Sequence, residues 1–278
     1  MSNNPDLKIS QYDAINVNSI VIENSQGVVG SSSVGNVSVG ANNMVAGYDT
    51  GGQTVMVGTD AGRNHTTGME NVGVGHGAMF TSESTSQNTA VGMYSMLYLS
   101  NGDRNTVVGN RSMLFTETAL ANTCVGWNIM GVGVGAVDCE RNTAIGYRAM
   151  YGNTLPGVTS ARQNVAVGFS SLWNITTGYN NVCVGSEAGI GITTGGGNIC
   201  VGAGANVTGD DAVYQASIGA GAVAPINNHI RLGSASYTGG FSVHSSMIPE
   251  YADNAAAVGA GLTAGTLYRT GDILKIVH

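Results

Sequence analysis

A chain of 278 residues with 43 glycines, 10% charged and 6% aromatic side chains departs from the profile of a globular enzyme. Its 42% apolar share argues against disorder, and glycines without a three-residue period exclude collagen. A net charge of −7 disfavours nucleic acid and anionic membranes as partners, because both demand basic patches.

The chain opens on a polar stretch, Met1-Ser-Asn-Asn-Pro-Asp-Leu-Lys8, without the apolar centre of a secretory signal. No run approaches 18 apolar residues, so no membrane insertion is expected. Ile15, Val17 and Ile20 to Ile22 suggest short extended pieces inside a first segment, 1–35, which reads either as a cap or as an attachment point. Residues 31–62 hold ragged early copies of a repeat: Asn36 to Gly40, Asn43 to Gly47 and Thr54 to Gly58. Atypical terminal repeats are what a stacked array needs to shield its end.

From residue 71 the phrase Asn-small-small-Val-Gly returns almost unchanged. It opens at Asn71, Asn88, Asn105, Asn122, Asn142, Asn164, Asn181 and Asn198. It closes at Gly75, Gly92, Gly109, Gly126, Gly146, Gly168, Gly185 and Gly202. With the imperfect copies at Thr54 and Gln215, the intervals are 17, 17, 17, 17, 20, 22, 17, 17 and 17 residues. A fixed period of this kind marks a repeat architecture. Each period holds a second apolar piece ending on Met79, Met96, Met113, Met130, Met150 or Leu172. Both pieces are too short for helices, and β-branched residues between glycines favour strand and turn.

The fold class expected is therefore all-β, a parallel β-solenoid (β-roll) of 17-residue coils stacked about 4.8 Å apart. The closing Gly suits a corner that needs φ > 0. The opening Asn suits a ladder of side-chain amides, and it also tolerates left-handed backbone. Thr66-Thr67-Gly68, Thr176-Thr177-Gly178 and Thr193-Thr194-Gly195 suggest a second corner. Coils so thin are expected to need copies of themselves to complete their burial, as a homotrimer.

Two coils are longer, with three extra residues between Met130 and Asn142 and five between Met150 and Asn164. Insertions in a solenoid emerge as loops on one face, often the binding face. Beside them the sixth repeat position reads Trp127, Tyr147, Phe169. This aromatic column, with Tyr151, Asn153 and Arg162 from the second long coil, is the candidate receptor contact. It could stack on sugar rings, or pack against a neighbouring subunit.

The run Asn164-Val-Ala-Val-Gly-Phe-Ser-Ser-Leu-Trp-Asn-Ile-Thr-Thr-Gly-Tyr-Asn180, followed by Asn181-Val-Cys-Val-Gly185, resembles the repeats of bacteriophage tail fibres and the related heads of trimeric autotransporter adhesins. The resemblance covers roughly residues 36–220. It implies a trimeric left-handed β-roll in a virion fibre or spike that attaches to a host surface glycan or lipopolysaccharide. Its other partners would be virion proteins met through the N-terminus. An autotransporter would carry a secretory signal and a membrane barrel, which favours the phage branch and a virion location after assembly in host cytoplasm. The alternatives are a virion spacer without receptor contact and a non-viral extracellular adhesin or filament subunit.

After the solenoid domain, 36–222, a neck is expected over 223–247. It resembles the segment after such repeats in chaperone-bearing phage fibres, but Phe241-Ser-Val-His-Ser-Ser246 holds no Ser-Asp cleavage site. Residues 248–278 resemble a short C-terminal module of viral structural proteins and are read as a trimer-closing cap. Asp253 or Asn254 would cap an Ala-rich helix ended by Gly265, before a final strand from Ile273 to Val277.

No catalytic constellation is legible, and neither cofactor nor metal is expected. His65, His76, His229, His244 and His278 are scattered, without ligand spacing. Asp210-Asp211 reads as a solvated turn, since adjacent strand residues point to opposite faces. Cys124, Cys183 and Cys200 occupy the third position of their phrases and read as small core residues. Cys139, inside an insertion, is expected to be exposed. The chain is read as a non-enzyme.

Overall fold

The computed structural model describes residues 21–22, 36–43, 52–130, 138–152, 160–234, 249–264, 266–270 and 273–277. They belong to two compact units divided after residue 235.

The first unit is an all-β parallel solenoid. Each phrase supplies a short strand, such as Val72–Val74, Thr89–Val91, Thr106–Val108 and Val182–Val184, and each strand pairs in parallel with that of the next coil. Among the described residues thirteen such strands make one sheet, reaching from Val21–Ile22 to Ile230–Leu232. Register holds through the long coils. Thr106 faces Thr123, Thr123 faces Thr143 and Thr143 faces Val165. The early phrases differ from expectation: Val37–Val39 pairs directly with Val55–Val57. Asn43 is thus no phrase opening; its side chain takes the Ala61 N–H of the next coil at 3.1 Å.

A second sheet runs along the other wall, through Ser84–Ser86, Asn101–Asp103, Thr118–Leu120 and Asp138–Glu140. Beyond it, pairing thins to single bridges linking Glu140, Arg162, Tyr179, Gly196 and Val213 in turn. The Thr-Thr-Gly corners account for this thinning. The N–H groups of Thr176, Thr177 and Gly178 all converge on the Thr193 carbonyl, and those of Thr193, Thr194 and Gly195 on that of Asp210.

The Met-bearing piece is a turn. Met79, Met96, Met113, Met130, Met150 and Leu172 have φ between 47° and 51° and are buried. Left-handed backbone is a strong outlier for β-branched residues, which explains Met and Leu where a core would otherwise accept Val or Ile. These side chains meet the third phrase residues, Ala90, Val107, Cys124, Ala144, Ala166, Cys183 and Cys200, in one continuous core. A single chain thus fills the interior of its own coils. What it leaves uncovered is the outer face of the large sheet.

The phrase glycines do turn corners, at φ 131° to 140° from Gly75 to Gly202. At Gly185 (φ 139°) a Cβ would stand 2.5 Å from the Gly202 carbonyl oxygen of the next coil. The asparagines themselves are not left-handed. That conformation falls on the residue before each one, as at Glu70, Gln87, Arg104 and Ala121 (φ 56° to 60°).

The second unit holds a helix, Asn254–Gly259, capped by the Asp253 side chain, which accepts from Ala256 N at 2.8 Å. The helix stops before Gly265, with Ala260 as its C-terminal cap. An antiparallel pair, Leu267–Thr270 with Ile273–Ile276, follows, and Ala257, Tyr268 and Val277 form a small core.

Candidate functional site

The amide ladder is continuous. The Nδ2 of Asn88 donates to Oδ1 of Asn71 at 3.2 Å, and the same link recurs through Asn105, Asn122, Asn142, Asn164, Asn181 and Asn198 at 2.9–3.1 Å. Each Oδ1 also accepts the backbone N–H of the next asparagine, and Asn198 passes the series on to Gln215 N. The same Nδ2 groups reach the opposite wall, Asn105 to Ala119 O at 3.0 Å and Asn181 to Gly195 O at 2.9 Å. All eight side chains are buried, so this is the frame of the rod and not a ligand site.

The thiols belong to that frame. Cys124, Cys139, Cys183 and Cys200 are free and buried. Cys139 is only 3% exposed, against expectation, because it is the central residue of Asp138–Glu140 and stacks in register on the buried Ala119. Burial pushes the Cys124 thiol far above its ordinary range, with Cys139 adding to the effect. A hydrogen bond with Cys200, then burial, raises that of Cys183.

The aromatic column is the feature that a ligand could meet. Its place follows from local backbone: Thr123–Trp127 and Thr143–Tyr147 are the strands extended to five residues. Alternation therefore turns Trp127 to the same outer side as Thr123 and Val125. Tyr147 lies 4.9 Å from Trp127 and stacks on Phe169 at 5.3 Å with planes 3° apart. Trp127 and Phe169 are 42% and 50% exposed. The Trp127 Nε1–H donates to Asn110 Oδ1 at 3.3 Å.

Around the next corner stands Arg148, at φ 54°. Its guanidinium carbon lies 5.2 Å from the Tyr147 ring, 5.3 Å from Tyr151 and 5.1 Å from Trp173. Tyr151 and Trp173 contact each other at 5.2 Å. Arg148 Nε is buried without a hydrogen-bond partner, a condition that costs on the order of 1–3 kcal/mol for a polar group.

Of the sequence candidates, Trp127, Tyr147, Phe169 and Tyr151 are therefore brought into one surface. Arg162 is not: it bridges Glu140 and Tyr179 in the second-sheet column. Asn153 lies outside the described residues. Arg148 and Trp173 were missed, although they hold repeat positions seven and ten of the same coils, and reading columns across coils would have found them.

A second surface runs the length of the rod. The fourth phrase residues Val91, Val108, Val125, Ile145, Val184, Val201 and Ile218 are 36–41% exposed and stack in register. The open groove of about 220 Å³ on the second sheet, lined by Asn101, Asp103, Thr118, Leu120, Cys139 and Glu140, has little free chemistry. Asp103 Oδ1 accepts from Ser86 N at 2.9 Å. Among the described residues no cluster of His, Cys, Asp or Glu could hold a metal ion, and no helix is long and apolar enough to cross a membrane. Neither a family model nor a curated protein matches the chain.

Proposed function

We propose that the chain is the shaft of a homotrimeric adhesive fibre or spike on a virion, attached through its N-terminal segment to other virion proteins and meeting a host surface glycan or lipopolysaccharide along its side. The observation that carries this reading is the apolar outer face. All-parallel sheets occur almost only with both faces covered, and here one face presents an unbroken column of valines and isoleucines. A covering partner with matching period is another copy of the same coil, since its residues recur at the same spacing. Three thin rods so joined give a stiff shaft, and repetition of weak sugar contacts over copies and fibres gives firm attachment.

The aromatic column supplies those sugar contacts, because Phe169, half exposed at the end of the stack, offers its ring to the apolar face of a pyranose. Its continuity with the valine face favours a second reading, a virion spacer in which these rings pack between subunits. A non-viral extracellular adhesin remains the alternative of the same shape. The C-terminal unit closes the trimer.

Native mass spectrometry tests the proposal. A species of three times 28.2 kDa is expected, together with glycan binding that Phe169→Ala weakens without changing the mass. A monomer sinks the fibre reading. A trimer whose mass falls with Phe169→Ala favours the spacer.

A further inference from the structure

The corner at Arg148 has a property that stacking on sugars does not require. It holds a cation surrounded by rings in a chain with only 10 Lys and Arg against 17 Asp and Glu. Among the described residues the ion pairs are Arg63–Asp60, Arg141–Glu140 and Arg269–Glu250, and none involves Arg148. Residues 131–137 and 153–159, the variable parts of the two long coils, contain no Asp or Glu. Ring faces attract a cation through their quadrupole but leave its charge in place. They also leave a guanidinium its in-plane N–H donors, whose fork matches a carboxylate or a phosphate. The Arg148 guanidinium donates no hydrogen bond among the described residues, and its Nε is an unmet buried donor.

Resting on the adhesive reading above, we propose that Arg148, held by Tyr147, Tyr151 and Trp173, is an anion-recognition subsite that selects carboxylated or phosphorylated saccharides over neutral ones. The stacked Tyr147–Phe169 pair and Trp127 take the apolar face of the sugar, and Arg148 takes its acid group. Tyr147 belongs to both contacts, lying 5.2 Å from the guanidinium carbon and 5.3 Å from the Phe169 ring. A single chain surface therefore carries both halves of the recognition. The adjacent coils offer no equivalent: position seven is Asn128 before Arg148 and Ser170 after it, and Arg111, at the same position two coils before, has Leu114 in place of a ring at position ten.

The test uses the full chain and three immobilised probes: an oligogalacturonate, its carboxyl-reduced neutral counterpart, and a phosphorylated lipopolysaccharide core oligosaccharide. Loss of one charge-assisted contact weakens binding about tenfold or more. The wild-type chain is expected to prefer an acidic probe to the neutral one by that factor, and Arg148→Gln to abolish the preference while retaining residual binding to both. Comparison of the two acidic probes distinguishes a carboxylate from a phosphate. Equal binding of acidic and neutral sugars by the wild type overturns this inference and leaves the adhesive reading standing. So does an Arg148→Gln variant that is less stable yet equally selective, since Arg148 is then only packed between rings. No binding to any probe overturns both.

Discussion

The asparagine inside the ladder makes at least four hydrogen bonds through one amide group. At Asn105 the Oδ1 accepts both the N–H and the Nδ2 of Asn122 at 2.9 Å, while Nδ2 donates to Asn88 and to Ala119 O. Alanine there would strand the Asn122 N–H in the core, whereas the Ala119 carbonyl stays paired within the second sheet. At about 1–3 kcal/mol for an unmet group, Asn105→Ala is expected to lose about 1–3 kcal/mol, read as a lower denaturant midpoint. Asn71→Ala should lose less, because Asn71 donates to Thr85 O and to no earlier asparagine in the series. The buried thiols give a second prediction. Cys124 and Cys183 titrate above their unfolded value, so above about pH 8.5 the unfolded chain releases protons that the folded chain keeps. Stability is then fully present below that pH and falls as pH rises through it. Replacing Cys183 by Ala should flatten the decline in unfolding free energy between pH 8 and 10, and thiol reagents should label the native chain slowly even at pH 9.

At the scale of the coil, phase matters more than length. Residues 182–198 are one full period between in-register partners, Val182 facing Ile199. Deleting all 17 joins Asn181 to Ile199 and restores every column. Circular dichroism and the cooperativity of unfolding should survive, whereas removal of ten residues from the same place should abolish both. The period was legible because a left-handed residue, an asparagine, a small inward residue and a glycine recur at fixed offsets, each demanded by a separate backbone constraint. The role of the methionines was less so. Met79 and its equivalents look like the end of a strand by composition, and only the positive φ shows why unbranched side chains stand there. Asn43 misled for the opposite reason, since an asparagine before small residues is the same pattern whether it opens a strand or braces a turn. At the candidate site the aromatic column was visible as a repeat position, but Arg148 was not. A single arginine has no period, and its meaning comes from the three rings that the corner gathers round it.

For the whole molecule the deciding surface is the outer side of the large sheet. Glutamate at Val184 and Val201, both 37% exposed, leaves the coil interior untouched because those side chains point away from it. If the face joins copies, the double variant should run near 28.2 kDa with an unchanged dichroism spectrum, since like charges at an apolar interface must be desolvated together. The amide ladder has a consequence at the same scale. From Asn88 to Asn198, one Nδ2–H of each amide points toward the Asn71 end, and the Oδ1 atoms from Asn71 to Asn181 point toward the Asn198 end. Such aligned dipoles cancel in the middle and survive at the tips, as peptide dipoles do in a helix. The solenoid is electrically polar along its axis, positive toward Asn71 and negative toward Asn198, and copies standing side by side in the same sense would add their fields.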